Sequence, residues 1–144
     1  MTSTAISAQG SKFSIDTAAD GATDPTWTAV KNVKSYSGFD GSATEIDVTD
    51  LDSEAKEKML GLIDNGSFSI DVNVNMADPG QAALKAAQKA STLEKFKLTY
   101  PDGSSDTFSA YVKSFPVSGS TDAVITSTVA LTISGAVTTT AAGA

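Results

Sequence analysis

From Ser67 to Met76 the chain alternates without a fault: Phe68, Ile70, Val72, Val74 and Met76 are apolar, and Ser69, Asp71, Asn73 and Asn75 between them are polar. Successive side chains of a strand point to opposite faces. A period of two therefore predicts a β-strand with one buried face and one face that is wet or set against a polar partner.

The surrounding sequence predicts further strands. Lys12 to Asp16 is a short first candidate, and Trp27 to Ser35 a second, with Trp27, Val30 and Val33 too irregular to assign a face. Lys95 to Tyr100 and Thr107 to Ser114 flank Pro101-Asp102-Gly103. Proline fixes φ at a turn start, aspartate accepts local backbone bonds and glycine allows positive φ, so this is a β-hairpin. Phe96 and Leu98 mark the inner side of its first arm, and Phe108, Ala110 and Val112 that of its second. The last strand, Val124 to Ser134, sets Ile125, Val129, Leu131 and Ile133 against Thr126, Thr128, Ala130 and Thr132.

One helix interrupts the strands. Asp78 is a good N-cap, Pro79 a good first helical residue, and Gln81 stands in the capping-box position. The body, Gln81 to Ala90, is rich in alanine, with Ala83, Leu84 and Ala87 on the face turned to a sheet. Lys85 and Lys89 sit toward its C-terminus, where positive charge suits the helix dipole.

Gly38 to Gly66 has another character. It carries Asp40, Glu45, Asp47, Asp50, Asp52, Glu54, Glu57 and Asp64 against Lys56 and Lys58 alone. Residues 53–63 fit a helix capped by Asp52 or Ser53, and residues 43–49 equally fit one arm of a long hairpin. The segment reads as an extended excursion from the body, and such excursions are usually functional or disordered. Leu51, Met59, Leu60, Leu62 and Ile63 are apolar side chains that a merely solvated loop would not need, so they point to burial against a partner.

The 144 residues fit one domain, 11–135, between a flexible N-terminal arm, 1–10, and a flexible C-terminal tail, 136–144, both of low complexity. The chain has no histidine and no cysteine. That removes the commonest general base, thiolate metal sites and any serine-protease triad. No cofactor and no metal are expected. A net charge of −7 argues against a nucleic-acid regulator, because the acidic chain gains nothing from displacing counterions on DNA. No apolar run reaches the 18 residues of a membrane span, and Met1 to Gly10 lacks the marks of a signal peptide, so the expected location is the cytoplasm of the cell that makes it.

The acidic residues do not assemble a recognisable site. Asp47, Asp50, Asp52 and Glu54 lack the spacing and central glycine of a calcium loop. Asp102 and Asp106 suggest a glycosidase pair, but turn chemistry accounts for Asp102, and Asp106 falls just before a strand. Phe96, Tyr100, Phe108 and Tyr111 are better read as hairpin core and cross-strand pairs than as a platform for single-stranded nucleic acid.

The order of elements from residue 67 onward resembles the tail tube (major tail) proteins of lambda-like phages. The resemblance rests on the alternating strand, on Asp78-Pro79-Gly80-Gln81-Ala82-Ala83-Leu84, on Lys97-Leu98-Thr99-Tyr100-Pro101-Asp102-Gly103, on Asp106-Thr107-Phe108-Ser109-Ala110-Tyr111-Val112, and on Val124-Ile125-Thr126-Ser127-Thr128-Val129. It covers about half the chain; the first half matches in layout alone, and the chain ends where some members carry an extra immunoglobulin-like domain.

The resemblance implies a mainly β fold: a β-sandwich or small barrel with one flanking α-helix and a long excursion loop. It implies a virion structural protein, not an enzyme, that self-assembles into stacked hexameric rings. Leu51, Met59, Leu60, Leu62 and Ile63 would then lie between rings, and Asp71, Asn73 and Asn75 would line the lumen. A lumen dominated by Lys31, Lys34, Lys95 or Lys97 is not expected, since each lysine would hold the phosphates of passing DNA. The implied partners are tape-measure, tail-terminator and baseplate or tail-tip proteins, with DNA passing unbound and no membrane. Competing readings are a pilin-like or carbohydrate-binding β module, a carboxylate enzyme, and a tube from a contractile tail or secretion system.

Overall fold

The computed structural model describes residue 7 and residues 9–18, 24–39 and 41–141. Most of the N-terminal arm lies outside the described residues. Ten strands and one helix follow in the order β1 (Lys12–Asp16), β2 (Trp27–Val30), β3 (Val33–Gly38), β4 (Ser42–Asp47), β5 (Lys58–Asp64), β6 (Ser67–Asn73), α1 (Pro79–Ala90), β7 (Leu93–Thr99), β8 (Ser105–Ser114), β9 (Thr126–Ile133) and β10 (Thr138–Thr140). All pairings are antiparallel among these residues.

The main sheet runs β2-β1-β7-β8-β9-β6-β3, with β10 beside the start of β8. It cannot be flat. Adjacent strands lie about 4.8 Å apart, which would separate the edge strands β2 and β3 by roughly 29 Å. Yet only Lys31 and Asn32 join them. Phe13 of β1 also stacks on Phe68 of β6 with ring centroids 5.5 Å apart, although β7, β8 and β9 lie between those strands in the sheet. The sheet therefore curls nearly shut around Phe13, Phe68, Phe96 and Phe108, which meet at centroid distances of 5.4–6.5 Å. Ile15, Ile70, Val72, Leu98, Val112, Val129, Leu131 and Ile133 complete the buried interior.

Most inner positions fall where the period of two puts them. Phe96 and Leu98 face Phe108 and Asp106 across the hairpin, and Val129, Leu131 and Ile133 are buried while Thr128 and Thr132 are exposed. The second expected strand, however, is two. At Asn32 the backbone turns left-handed, with φ 64°, and sends β2 and β3 to opposite edges of the sheet. The alternating strand ends at Asn73, before Met76, because Asn75 and Met76 enter the turn that leads to the helix. Within the expected flexible tail, Thr138–Thr140 pair with Thr107, Asp106 and Ser105.

The helix closes one end of the curled sheet and buries Gly80, Gln81, Leu84 and Ala87. Asp78 caps it as expected, its Oδ2 accepting from Gln81 N at 3.1 Å and also from Lys31 N at 3.1 Å. Gln81 does more than cap. Its side chain is fully buried; Oε1 accepts from Asn75 N at 2.8 Å, and Nε2 donates to Lys31 O at 2.8 Å and Asn73 O at 3.0 Å. One amide thus ties the helix start to the β2–β3 crossing and to the end of β6. Gly80 allows this approach, since a Cβ there would fall 2.4 Å from the Ala29 carbonyl oxygen.

Asp106 is, with Asp78, a buried carboxylate of the fold. It faces inward from β8 and accepts from Tyr100 Oη at 2.5 Å and from Thr139 Oγ1 at 2.5 Å, which fastens β10 to the body. Burial, and then the bond to Asp106, push the Tyr100 phenol well above its ordinary pKa. A raised folded pKa gives stability that is complete below the unfolded tyrosine value, about 10, and is lost as pH rises toward the folded value. Alkaline titration followed by ultraviolet difference absorbance is therefore expected to show a late tyrosine step, above the ordinary tyrosine range, from Tyr100. Tyr100→Phe should remove the late step.

Candidate assembly interface

The excursion is a β-hairpin rather than a helix. β4 and β5 pair Ser42 with Asp64, Ala43 with Ile63, Glu45 with Leu60, Ile46 with Met59 and Asp47 with Lys58, with an irregularity between Ala43 and Glu45. The apolar residues of 59–63 alternate with too little polarity between them to show a strand by sequence, which left the helix open. Gly41 fixes the root, because a Cβ there would lie 2.1 Å from the Asp64 carbonyl oxygen.

Opposed residues of an antiparallel pair share a face. β5 carries the extra residue of the irregularity, so one side of the arm carries Ile46, Val48, Met59 and, past the irregularity, Asp64. The other carries Ala43, Glu45, Asp47, Lys58, Leu60 and Ile63. Among the described residues no position from 42 to 64 is buried. Leu51 and Leu62 are essentially fully exposed, at 105% and 96%, with Ile63 at 66%, Leu60 at 65% and Met59 at 53%. A lone two-stranded hairpin is marginal in water, and an apolar cluster of this extent on a soluble chain marks a contact surface. Ile46 and Val48, both 44% exposed, belong to the same cluster; their alternation with Glu45 and Asp47 was a usable signal in the sequence.

Asp47 and Asp50 of the arm serve local turns. Asp47 Oδ1 accepts from Thr49 N at 3.0 Å, and Asp50 Oδ1 from Asp52 N at 3.0 Å and Ser53 Oγ at 3.1 Å. The Thr49 bonds hold Asp47 below the usual carboxylate range. Among the described residues no cluster of three or more potential metal ligands occurs. Asp102 likewise serves its turn, accepting from Ser104 N at 3.0 Å and Ser104 Oγ at 2.6 Å. No described helix is long and apolar enough to cross a membrane.

A second surface is the outer face of β3, β6 and β9. Asp71 Oδ1 accepts from Thr128 Oγ1 at 2.6 Å and Oδ2 from Ser35 Oγ at 2.9 Å; Ser37 and Ser69 pair at 3.1 Å. The Thr128 hydroxyl, then that of Ser35, holds the Asp71 carboxyl below its ordinary range, so the face stays negative on mild acidification. Asp71 and Asn73 share this face by register. Asn75 does not. It sits in the turn before α1, its Oδ1 accepting from Ala77 N at 3.1 Å.

Comparisons with known proteins give the family and the fold. The family model described as lambda phage tail tube protein, TTP, matches residues 12–140. Structural protein 3 of Pseudomonas phage PAJU2 is 26% identical over 137 positions, covering 78% of this chain and 84% of the relative. The tail of a gene transfer agent particle, solved with C6 symmetry, aligns at TM-score 0.68 and 18% identity over 90% of this chain and 95% of its own. The SPP1 tail tube aligns at 0.69 and 15% over 94% of this chain and 78% of its own, and the sheath–tube complex of an extracellular contractile injection system at 0.69 and 16% over 96% and 93%. Matched by the model across nearly all of its sequence, the chain belongs to the lambda phage tail tube protein family.

Proposed function

We propose that this protein is the structural subunit of a phage tail tube, assembling as hexameric rings stacked end to end into a conduit for DNA, with no catalytic role and no cofactor. The observation that carries the reading is the arm, residues 42–64: a hairpin with apolar residues on both sides and none of its described positions buried on its own body. Such a hairpin lowers its free energy by docking on another subunit. Six copies per ring follow the C6 symmetry of the gene transfer agent tail that shares the fold.

In this reading Leu51, Met59, Leu60, Leu62 and Ile63 meet the next ring. The hydroxyl- and carboxylate-bearing face with Asp71 and Asn73 is the lumen wall, with Asn75 at its margin. Such a wall offers phosphates mainly hydroxyls and carboxylates, with Lys34 of β3 near Asp71. Tape-measure, terminator and baseplate or tail-tip proteins would bound the tube, whose place is the virion tail after assembly in the host cytoplasm.

The test is electron microscopy of the purified protein over a range of concentrations. Tubes of uniform width with six-fold end views are the expected outcome. A protein that stays monomeric at every concentration, with or without other tail components, would overturn the reading.

A further inference from the structure

The charge of the chain is unevenly divided. Residues 42–64 hold seven carboxylates against Lys56 and Lys58, a net of −5, while the rest holds ten carboxylates against eight lysines. The lysines of the body are not scattered. Lys95 and Lys97 point outward from β7, between the buried Phe96 and Leu98, with Lys12 of β1 and Lys113 of β8 on the same outer face by register. Leu93 and Tyr111 lie directly opposite each other on that face, 47% and 42% exposed. An apolar pair bordered by lysines thus stands on one side of the curled sheet, away from the Asp71 face. The arm shows the complement: Leu60 and Ile63 on one side with Glu45 and Asp47.

Resting on the tube reading above, we propose that the outer face of β1, β7 and β8 is the receptor for the arm of a second copy, with Leu60 and Ile63 on Leu93 and Tyr111 and the arm's carboxylates among Lys95, Lys97, Lys113 and Lys12. The apolar contact supplies the affinity. The opposed charges set the register and speed the encounter, and they also oppose pairing of arm with arm or of face with face. The arrangement is heterologous, since the arm of one copy meets a different surface of the next, and such contacts propagate into rings or filaments. It also keeps the lysine face out of the lumen.

The absence of cysteine makes the pairing open to disulfide mapping in the full chain. Ile63→Cys protein mixed with Leu93→Cys protein under mild oxidation is expected to give a cross-linked heterodimer. Mixed with Thr128→Cys, which lies on the Asp71 face, it should give at least tenfold less. The charge arm of the test uses Lys95→Glu with Lys97→Glu. This variant should remain a folded monomer yet lose both the cross-link and pelletable tubes, and adding Glu45→Lys and Asp47→Lys to the same chain should restore them.

Equal trapping by Leu93→Cys and Thr128→Cys, or a doubly reversed chain no better than the singly reversed one, would overturn the proposal while leaving a tube formed by wild type intact. Selective trapping by Leu93→Cys in a protein that never makes tubes would instead uphold the arm-to-face contact and remove the tube reading.

Discussion

Replacing Gln81 by leucine is expected to lower the stability of the protein by about 3 kcal/mol or more, although leucine matches the site in size and exceeds glutamine in hydrophobicity. The side chain is fully buried at the start of α1 and bonds three backbone groups from two other elements: Asn75 N, Lys31 O and Asn73 O. Leucine leaves all three part-buried groups without that partner, and an unsatisfied group costs about 1–3 kcal/mol where water cannot replace the bond. Glutamate is no better, because its carboxylate lacks the two donors that Lys31 O and Asn73 O require. The loss is a large share of the roughly 5–15 kcal/mol that holds a domain together.

Urea unfolding should show a lower midpoint with an unchanged slope. Gln88→Leu, on a half-buried helix position, should stay within about 0.5 kcal/mol of wild type. A Gln81→Leu loss as small as that would show that the bracket between helix, β2–β3 crossing and β6 is not what holds that end of the fold.

Gln81 also marks the boundary of what the sequence could tell. Its position three residues after Asp78 identified a helix cap, and Asp78 does cap Gln81 N. Its bonds to Lys31 O and Asn73 O depend on where β2 and β6 end, and local pattern carries no such information. Asp106 repeats the lesson. The sequence put it outside the strand, whereas it lies inside β8 and faces the interior, because its hydroxyl partner Thr139 arrives from a C-terminal strand that composition alone marked as a tail.

Strands whose two faces differ were legible. Phe68, Ile70 and Val72, and Val129, Leu131 and Ile133, are buried as their alternation requires. The β2–β3 break was not legible, since Asn32 adopts its left-handed turn only where the curling sheet brings two edges together. The site shows the same split. Leu51, Met59, Leu60, Leu62 and Ile63 were visible as apolar residues in an acidic context. Their hairpin pairing was legible only as one of two readings beside a helix, because an arm that buries none of its side chains on its own body has no reason to show a one-sided pattern.

Shortening that arm is expected to separate folding from assembly completely. Replacing residues 42–64 with a short Gly-Ser link joins positions that the hairpin already holds side by side, since Ser42 and Asp64 are paired at its root and opposed strand residues lie about 5 Å apart. The buried core lies wholly outside the segment, and the arm's ion pair, Glu45 with Lys58 at 3.3 Å, is exposed. A pair of that kind contributes at most about 1 kcal/mol. The shortened protein should therefore be a soluble monomer with a melting temperature close to that of wild type, and it should form no tubes.

A gentler variant, Leu62→Asp with Ile63→Asp, should act in the same direction without changing the length of the chain. Each apolar side chain of this size contributes about 1.5–3 kcal/mol when fully buried, and the contact repeats around every ring. Hydrogen exchange supplies the independent reading. Amides of β4 and β5 should exchange quickly in the monomer, where the hairpin is held by its own ladder alone, and become protected in the tube. A shortened protein that still polymerises to normal length, or an arm already protected in the monomer, would show that assembly rests on other surfaces and that the exposed leucines of the arm serve something else.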